Sequence, residues 1–387
     1  MNPARRHQHT AQMPHDLDQP LALLANLSPR EFMASHWQKR PLLIKGAMDV
    51  SRLGLSQKAM FHLAGQAEVE SRVIARKSES WSLSQGPFSA RKLGSLKADA
   101  WTLLVQGVEQ HHPDAAALLA SFRFLPDARL DDLMVSWASP GGGVGPHFDS
   151  YDVFLLQISG RRRWQIGPQT DLSLVPDLPL KILARFEPTE MHVLEPGDML
   201  YLPPKWAHDG VAEGADCMTA SIGFRAPARA GLANEVLVRM GEIFEDDTLY
   251  NDPDQPATET PALMPEGLLR FTAEAVQRLT ADPIALACAL GEVMTEPKPG
   301  VWFEAPEMPF SVTVPLRVSV KSKLLYDANH LFINGESYLA AGHDFEQLQA
   351  LANTGAIHAK GLASLSADAQ ALVSEWYEAG WLEADLL

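Results

Sequence analysis

The chain has 387 residues, of which 46% are hydrophobic, and a formal net charge of −16 at pH 7. This length allows two or three domains with buried cores. The negative charge argues against binding nucleic acid by phosphate neutralisation and is compatible with a basic protein partner.

Targeting and redox features are sparse. The two cysteines, Cys217 and Cys288, are too few for a disulfide framework and indicate a reducing compartment. Residues 1–18 are polar, lack the apolar core of a signal peptide, and are predicted to form a disordered tail with solvated histidines at 7, 9 and 15. No run of about 18 apolar residues occurs, so we expect a cytoplasmic protein without a membrane span.

The first part of the chain mixes helices with short strands. Ser28 followed by Pro29 predicts a helix start that carries Phe32 and Trp37 inward. Further helices are predicted over residues 56–67 and 114–121, and strands over 42–44, 69–75 and 101–108.

Strand patterns dominate the middle of the chain. They cover residues 133–139, 151–158, 161–166, 191–194, 199–202 and 217–224. The strands are separated by turn signals such as Ser159-Gly160 and Glu195-Pro196-Gly197-Asp198. Short strands behind a helical N-terminal layer predict an α+β fold built on a double-stranded β-helix of the cupin type.

The pattern changes after Pro227. Helices are predicted over residues 234–244, 267–280 and 283–294, followed by a proline-rich linker at 296–300. A hairpin-like pair (318–325 and 331–339) and helices at 345–352 and 367–379 predict a small winged-helix-like module. From Arg317 onward there are four Lys or Arg against nine Asp or Glu, so we expect no direct nucleic-acid binding.

A glycine-rich turn, residues 140–146, leads directly into His147-Phe148-Asp149. Residues two apart in a strand point to the same face, so His147 and Asp149 are expected side by side. His208 follows Pro203-Pro204, about 60 residues after Asp149. A barrel fold would bring it close to His147 and Asp149. Each histidine alone is more often a core or surface residue, but the set matches the two-histidine, one-carboxylate triad of non-haem Fe(II) oxygenases.

An anion anchor is predicted next to this triad. Strand alternation sends Arg162 to one face and Arg161 and Arg163 to the other, where they are expected at the surface. An arginine inside a barrel needs an anion, and its planar fork suits a carboxylate. Ser136 is predicted to add a hydroxyl hydrogen bond to the same carboxylate, although a serine satisfied by the backbone is the alternative.

With these residues the chain resembles the JmjC-domain 2-oxoglutarate oxygenases and, more narrowly, the bacterial ribosomal oxygenases. Arg162 supports the narrower group, since JmjC proteins at large more often have lysine there. The resemblance extends over nearly the whole chain and is carried by residues 32–42, 143–149, 160–164, 196–204, 208 and 221–227.

The resemblance implies an enzyme that hydroxylates C3 of an arginine side chain in a large-subunit ribosomal protein, using Fe(II), 2-oxoglutarate and O2. It implies metal ligation by His147, Asp149 and His208, and 2-oxoglutarate binding by Arg162 with Ser136. It also implies a homodimer with an oxygenase domain (19–228), a helical dimerisation region (229–299) and a winged-helix-like domain (300–387).

Three alternatives remain open at this stage. The enzyme could act on a histidine of another ribosomal protein. The barrel could be a cupin that binds a metal or an organic acid without catalysis. The C-terminal module could bind nucleic acid with the barrel as a relic, although its acidic balance disfavours this.

Overall fold

The structure is a computed structural model that describes residues 16–78, 80–96 and 100–385. Most of the predicted N-terminal tail, with His7, His9 and His15, lies outside the described residues. The chain divides into two compact units after Ala226. None of the described helices has the length and hydrophobicity that crossing a membrane requires.

The first unit combines short helices with a large antiparallel sheet. Its helices are α1 (Pro29–Ser35), α2 (Gln57–Leu63), α3 (Ala90–Gly94) and α4 (Pro113–Ala120). Its strands are β1 (Leu42–Ile44), β2 (Ser71–Lys77), β3 (Ser80–Gln85), β4 (Ala100–Val105), β5 (Leu130–Ala138), β6 (Asp152–Pro168), β7 (Glu190–Leu194), β8 (Met199–Leu202) and β9 (Trp206–Phe224). The predicted start of α1 is confirmed: Ser28 and Glu31 form a reciprocal capping box.

The sheet explains how the fold brings distant residues together. Its strand order in the described residues is β1-β8-β6-β9-β5-β4-β2-β3, and β7 pairs with the second half of β6. The two long strands, β6 and β9, pair antiparallel along most of their length. The predicted double-stranded β-helix architecture is confirmed.

Two strand predictions were wrong in extent. Residues 151–158 and 161–166 were expected to be separate strands, but β6 runs through Ser159-Gly160 as a bulge with two register shifts against β9. A Cβ at Gly160, whose φ is +61°, would lie 2.6 Å from the Asp216 carbonyl oxygen, so the two strands approach closely here. Similarly, β9 begins at Trp206 rather than at residue 217, which puts His208 inside a strand.

The two faces of β6 contribute to different apolar clusters. Phe154 and Leu156 pack with α1 residue Phe32 and with Phe224 in the main core. Val153 and Leu155 face the other way and join Trp164 and Ile166 inside the barrel. This alternation follows from the period of two in a strand.

The second unit begins with helices α5 (Arg229–Glu242), α6 (Glu266–Leu279) and α7 (Pro283–Thr295). An α+β module follows, made of β10 (Leu316–Val318), β11 (Leu324–Tyr326), β12 (His330–Ile333), β13 (Glu336–Leu339), α8 (Gly342–Thr354), β14 (Ala356–Ile357), α9 (Ala359–Ser364), α10 (Ala367–Glu378) and β15 (Leu382–Ala384). The expected continuous strand over 318–325 is wrong, because a turn at Ser319–Ser322 separates β10 from β11. Strand β10 pairs with β14 and β15, whereas β11, β12 and β13 form their own sheet.

Candidate active site

The predicted metal ligands converge in the first unit. One ligand atom from each of His147, Asp149 and His208 lies within 4.8 Å of the other two. His208 is 3% exposed, and its Nε2 is 3.6 Å from Asp149 Oδ2. All three side chains line one pocket of about 270 Å³.

Backbone hydrogen bonds fix this cluster. The His147 N–H donates to the His208 carbonyl oxygen at 3.0 Å, and the His208 N–H donates to the His147 carbonyl oxygen at 2.8 Å. This pair is an isolated bridge, so His147 and Asp149 lie in a loop docked on β9 rather than in the strand that was expected. The Lys205 N–H donates to the Asp149 carbonyl oxygen at 2.7 Å and ties the carboxylate residue to the turn before β9.

The hydrogen bonds of the two imidazoles define their tautomers. His147 Nδ1 is 2.9 Å from the Gly145 carbonyl oxygen, and His208 Nδ1 is 3.0 Å from the Trp206 carbonyl oxygen. A carbonyl only accepts, so each Nδ1 carries a proton and each Nε2 is the nitrogen left to bind a metal ion. Burial, together with His147, lowers the pKa of His208 to about 4, so this ring is neutral at pH 7. Two imidazoles and a carboxylate fit a divalent metal ion.

The glycine-rich turn lets the ligand loop dock closely on the sheet. A Cβ at Gly143 would lie 2.6 Å from the Gly210 carbonyl oxygen, and one at Gly142 would lie 2.5 Å from the Trp101 carbonyl oxygen. Contacts this short exclude any side chain. The glycines therefore serve backbone-to-backbone packing behind His147.

Arg162 is buried beside the triad, on the face opposite to Arg161 and Arg163, as was expected from a separate strand over residues 161–166. Its side chain is 4% exposed, and among the described residues its Nη2 has no hydrogen-bond partner. Its neighbours Arg161 and Arg163 point to the opposite face and pair with Glu213. A buried guanidinium without an acidic partner is costly unless an anion enters the pocket.

Ser136 reaches the same pocket from β5. It is 3% exposed and stands opposite Thr219 in the β5–β9 pairing. Its Oγ donates to the Thr219 carbonyl oxygen at a long 3.4 Å. The serine thus lies where it was predicted, and its present partner is the backbone, as in the alternative reading.

Trp164 is a pocket residue that sequence reasoning missed. Its ring lies 5.6 Å from the Arg162 guanidinium carbon and 5.7 Å from the His208 ring centroid. The available signal was its position two residues after Arg162, which puts both on one face of β6. Thr219 and Ser221 of β9 also line the pocket and were not singled out.

Comparisons with known proteins agree with this geometry. A family model described as the JmjC domain matches residues 117–232, and one described as a ROXA-like winged helix matches residues 278–383. The ribosomal protein uL16 3-hydroxylase of Escherichia coli is 37% identical over 289 residues, which cover 72% of this chain and 74% of that protein.

Two solved structures of E. coli YcfD are similar over nearly the full length. One has a TM-score of 0.81 at 30% identity and covers 96% of this chain and 100% of that chain. The other, a ribosomal oxygenase in complex with cobalt and 2-oxoglutarate, has a TM-score of 0.75 at 32% identity and covers 93% and 98%. The expected winged-helix module is confirmed by the family match. The chain belongs to the JmjC-domain ribosomal oxygenases.

Proposed function

We propose that this protein is an Fe(II)- and 2-oxoglutarate-dependent oxygenase that hydroxylates C3 of an arginine in a large-subunit ribosomal protein, with uL16 as the substrate. The observation that carries the proposal is one pocket that combines a His-His-carboxylate set with a buried arginine that has no ion-pair partner among the described residues. The similar E. coli protein is a ribosomal protein uL16 3-hydroxylase.

The residues present fit both groups. We assign His147 Nε2, His208 Nε2 and a carboxylate oxygen of Asp149 as the iron ligands, because the Nδ1 atoms already bond to carbonyls. We assign Arg162 to the distal carboxylate of 2-oxoglutarate, with the Ser136 hydroxyl as a second donor. YcfD holds cobalt and 2-oxoglutarate in its solved complex.

The chemistry comes from the cofactor set, and the protein supplies placement. When bound, iron and 2-oxoglutarate together activate O2, so that one oxygen atom enters the substrate C–H bond and the other enters succinate, with release of CO2. His147, Asp149 and His208 would hold the metal ion, and a three-ligand set of this kind would leave coordination positions for 2-oxoglutarate and O2. Val153, Leu155 and Trp164 make the pocket wall apolar, which limits water near the reacting atoms.

The substrate assignment fits the electrostatics of the chain. A net charge of −16 attracts a basic ribosomal protein by long-range steering. The test is intact-mass comparison of large-subunit ribosomal proteins from strains with and without the gene. We expect uL16 alone to be lighter by one oxygen atom in the deletion strain.

The same spectra separate the alternatives. Loss of the oxygen from a different ribosomal protein, with the modification on histidine, would favour the histidine hydroxylase. Identical masses for every large-subunit protein would contradict the ribosomal assignment and leave a non-catalytic cupin.

We also propose the organisation that accompanies this function. Residues 19–228 would form the oxygenase domain, 229–299 a helical dimerisation region and 300–387 the winged-helix domain, after a tail at 1–18. The protein would act as a cytoplasmic homodimer, because its substrate is made there, and would not bind nucleic acid directly. The exposed apolar side chains of α6 support the homodimer, with Leu269 at 55% and Val276 at 53% exposure.

A further inference from the structure

We propose that Gln157 and Cys217 are positioning residues for Arg162. They hold its buried guanidinium with neutral contacts, so that its charge remains available to the distal carboxylate of 2-oxoglutarate. The inference rests on the proposed function, because it concerns the cosubstrate of that function.

The direction of Arg162 depends on the bulge in β6. Before the bulge, Val153 and Leu155 face the pocket; after it, Arg162 and Trp164 do. The pocket-facing positions therefore change from odd to even numbers between residues 157 and 161, where the pairing with β9 shifts register. In a strand without this bulge, Arg161 and Arg163 would face the pocket and Arg162 would face away.

Gln157 holds the bulge in place. Its side chain is fully buried, its Nε2 donates to the Ser159 carbonyl oxygen at 2.7 Å, and its Oε1 accepts from Thr219 Oγ1 at 2.9 Å. The amide thus joins the irregular part of β6 to the facing strand β9. Without it, the Ser159 carbonyl and the Thr219 hydroxyl would lose these buried partners, which favours relaxation of the bulge.

Cys217 contacts both residues with a neutral sulfur atom. Its Sγ is 3.5 Å from Arg162 Nε and 3.5 Å from Gln157 Nε2, and the residue is fully buried. In the part of the chain that the structure describes, no carboxylate forms an ion pair with Arg162, whereas Arg161 and Arg163 share Glu213. A thiol is a weak acceptor, so it orients Nε without neutralising the guanidinium. A carboxylate at this position would compete with 2-oxoglutarate for the same charge.

The first test replaces Gln157 in the full-length protein. Gln157→Met keeps the length of the side chain and removes its three hydrogen bonds, to the Ser159 carbonyl, the Thr219 hydroxyl and Cys217 Sγ. With Mn(II) as a redox-inert metal, calorimetry should show 2-oxoglutarate binding weakened about tenfold, the factor expected for roughly one hydrogen bond. The affinity for Mn(II) itself should stay within about twofold. In turnover assays with Fe(II), the KM for 2-oxoglutarate should rise by more than kcat falls.

The matched control is Gln165→Met, a half-buried glutamine of the same strand, which should bind 2-oxoglutarate like the unaltered protein.

The second test changes the charge beside Arg162. Cys217→Ser keeps a neutral acceptor and should bind 2-oxoglutarate within about threefold of the unaltered protein. Cys217→Asp places a carboxylate next to the guanidinium and should weaken binding by roughly a hundredfold or more. Circular dichroism checks that each variant is folded.

Equal 2-oxoglutarate binding by the unaltered protein, Gln157→Met and Cys217→Asp would overturn this inference and leave the proposed function standing. If Cys217→Asp does not fold, the comparison of Gln157→Met with Gln165→Met decides alone. Failure of the unaltered protein to bind 2-oxoglutarate with Mn(II) would instead overturn the proposed function, and the inference with it.

Discussion

At the scale of single residues, the unpaired charge of Arg162 is the feature that most constrains the chemistry. A guanidinium group buried inside a barrel normally has an anionic partner, because burial of an isolated charge is costly. Here the Nη2 atom has no partner among the described residues, while His147 and His208 present free Nε2 atoms into the same pocket. The site is therefore prepared for a metal ion and an anionic ligand together.

Replacing Arg162 should affect 2-oxoglutarate more than the metal. In Arg162→Gln the charge-assisted hydrogen bonds to the distal carboxylate are lost, so the concentration for half-maximal turnover should rise about 10- to 100-fold. The control is Arg161→Gln, which removes an exposed arginine one position away. An unchanged 2-oxoglutarate requirement in Arg162→Gln would contradict the anchor role.

Some of the site residues could be predicted from the sequence, and others could not. The triad could be predicted, because His147-x-Asp149 and the histidine after Pro203-Pro204 are patterns visible in the chain. For Arg162, alternation separated it from Arg161 and Arg163, but the face that lines the pocket depends on the bulge in β6. Trp164 and Thr219 were missed, since an aromatic and a threonine in strands are usual core residues. The role of Gln157 was not predictable, because it depends on a bulge that exists only in the paired sheet.

At the scale of elements, the loop that carries His147 depends on glycine. In Gly143→Ala the added Cβ would meet the Gly210 carbonyl oxygen at 2.6 Å, so the loop or β9 must shift. We expect a loss of about 1–3 kcal/mol in the free energy of unfolding, as for overpacking, together with weaker Mn(II) binding. Thermal unfolding and metal titration measure the two effects.

A matched substitution is available at the end of α3. A Cβ at Gly94 would meet no atom within 4 Å, and Gly94 does not have a positive φ. Gly94→Ala should therefore leave both quantities unchanged. Similar behaviour of the two variants would show that close packing at Gly143 is not required.

The turn before β8 is held by a buried carboxylate. Asp198 accepts from Lys45 Nζ at 2.6 Å and from the N–H groups of Gly46 and Glu195 at 3.0 Å. Burial alone would raise the pKa of Asp198, but these hydrogen bonds outweigh it and hold the pKa below its ordinary value. A depressed folded-state pKa contributes stability above the unfolded-state pKa, and this contribution is lost as the pH falls through the folded-state value.

Asp198→Asn should therefore destabilise the protein in a pH-dependent way. We expect a loss of about 1–3 kcal/mol in the free energy of unfolding at pH 7. The difference from the unaltered protein should begin to shrink as the pH falls below the ordinary aspartate pKa of about 4, and it should disappear only below the lower pKa of Asp198 in the folded state. Urea unfolding at neutral and acidic pH measures this difference in the free energy of unfolding, and Glu195→Gln in the same turn is the control. A difference that is equal at both pH values would contradict the assigned role.

Strand boundaries were less predictable than strand positions. Ser159-Gly160 is a strong turn signal, but pairing with β9 draws it into one continuous strand. The hairpin strand β3, rich in serine, and the five-residue helix α3 carry weak local signals and were not predicted. For β6 and β3, strand pairing overrode local preference.

At the scale of the whole molecule, the oligomeric state has to be inferred from the surface of a single chain. Helix α6 has 14 residues and no buried side chain, although Leu269, Val276 and other apolar residues lie along it. An amphipathic helix in water normally covers its apolar face. Specific and stable protein–protein interfaces bury about 1,200–2,000 Å² of accessible surface in total.

We therefore expect the unaltered protein to sediment as a dimer at micromolar concentration. The double variant Leu269→Glu, Val276→Glu should sediment as a monomer, because it places charges in the proposed interface. Leu339→Glu, at a residue that is 80% exposed on β13, is the control and should remain dimeric. A monomer for the unaltered protein would remove the dimer from the proposal.

Arginine hydroxylation by this protein is tested most directly by the fate of O2 in a purified reaction. The protein is incubated with Fe(II), 2-oxoglutarate, a uL16 fragment and isotopically heavy O2, and the fragment is analysed by tandem mass spectrometry. We predict one heavy oxygen atom on C3 of a single arginine, one succinate formed per modified fragment, and no product with His147→Ala. An unmodified fragment, or equal product from His147→Ala, would contradict this prediction.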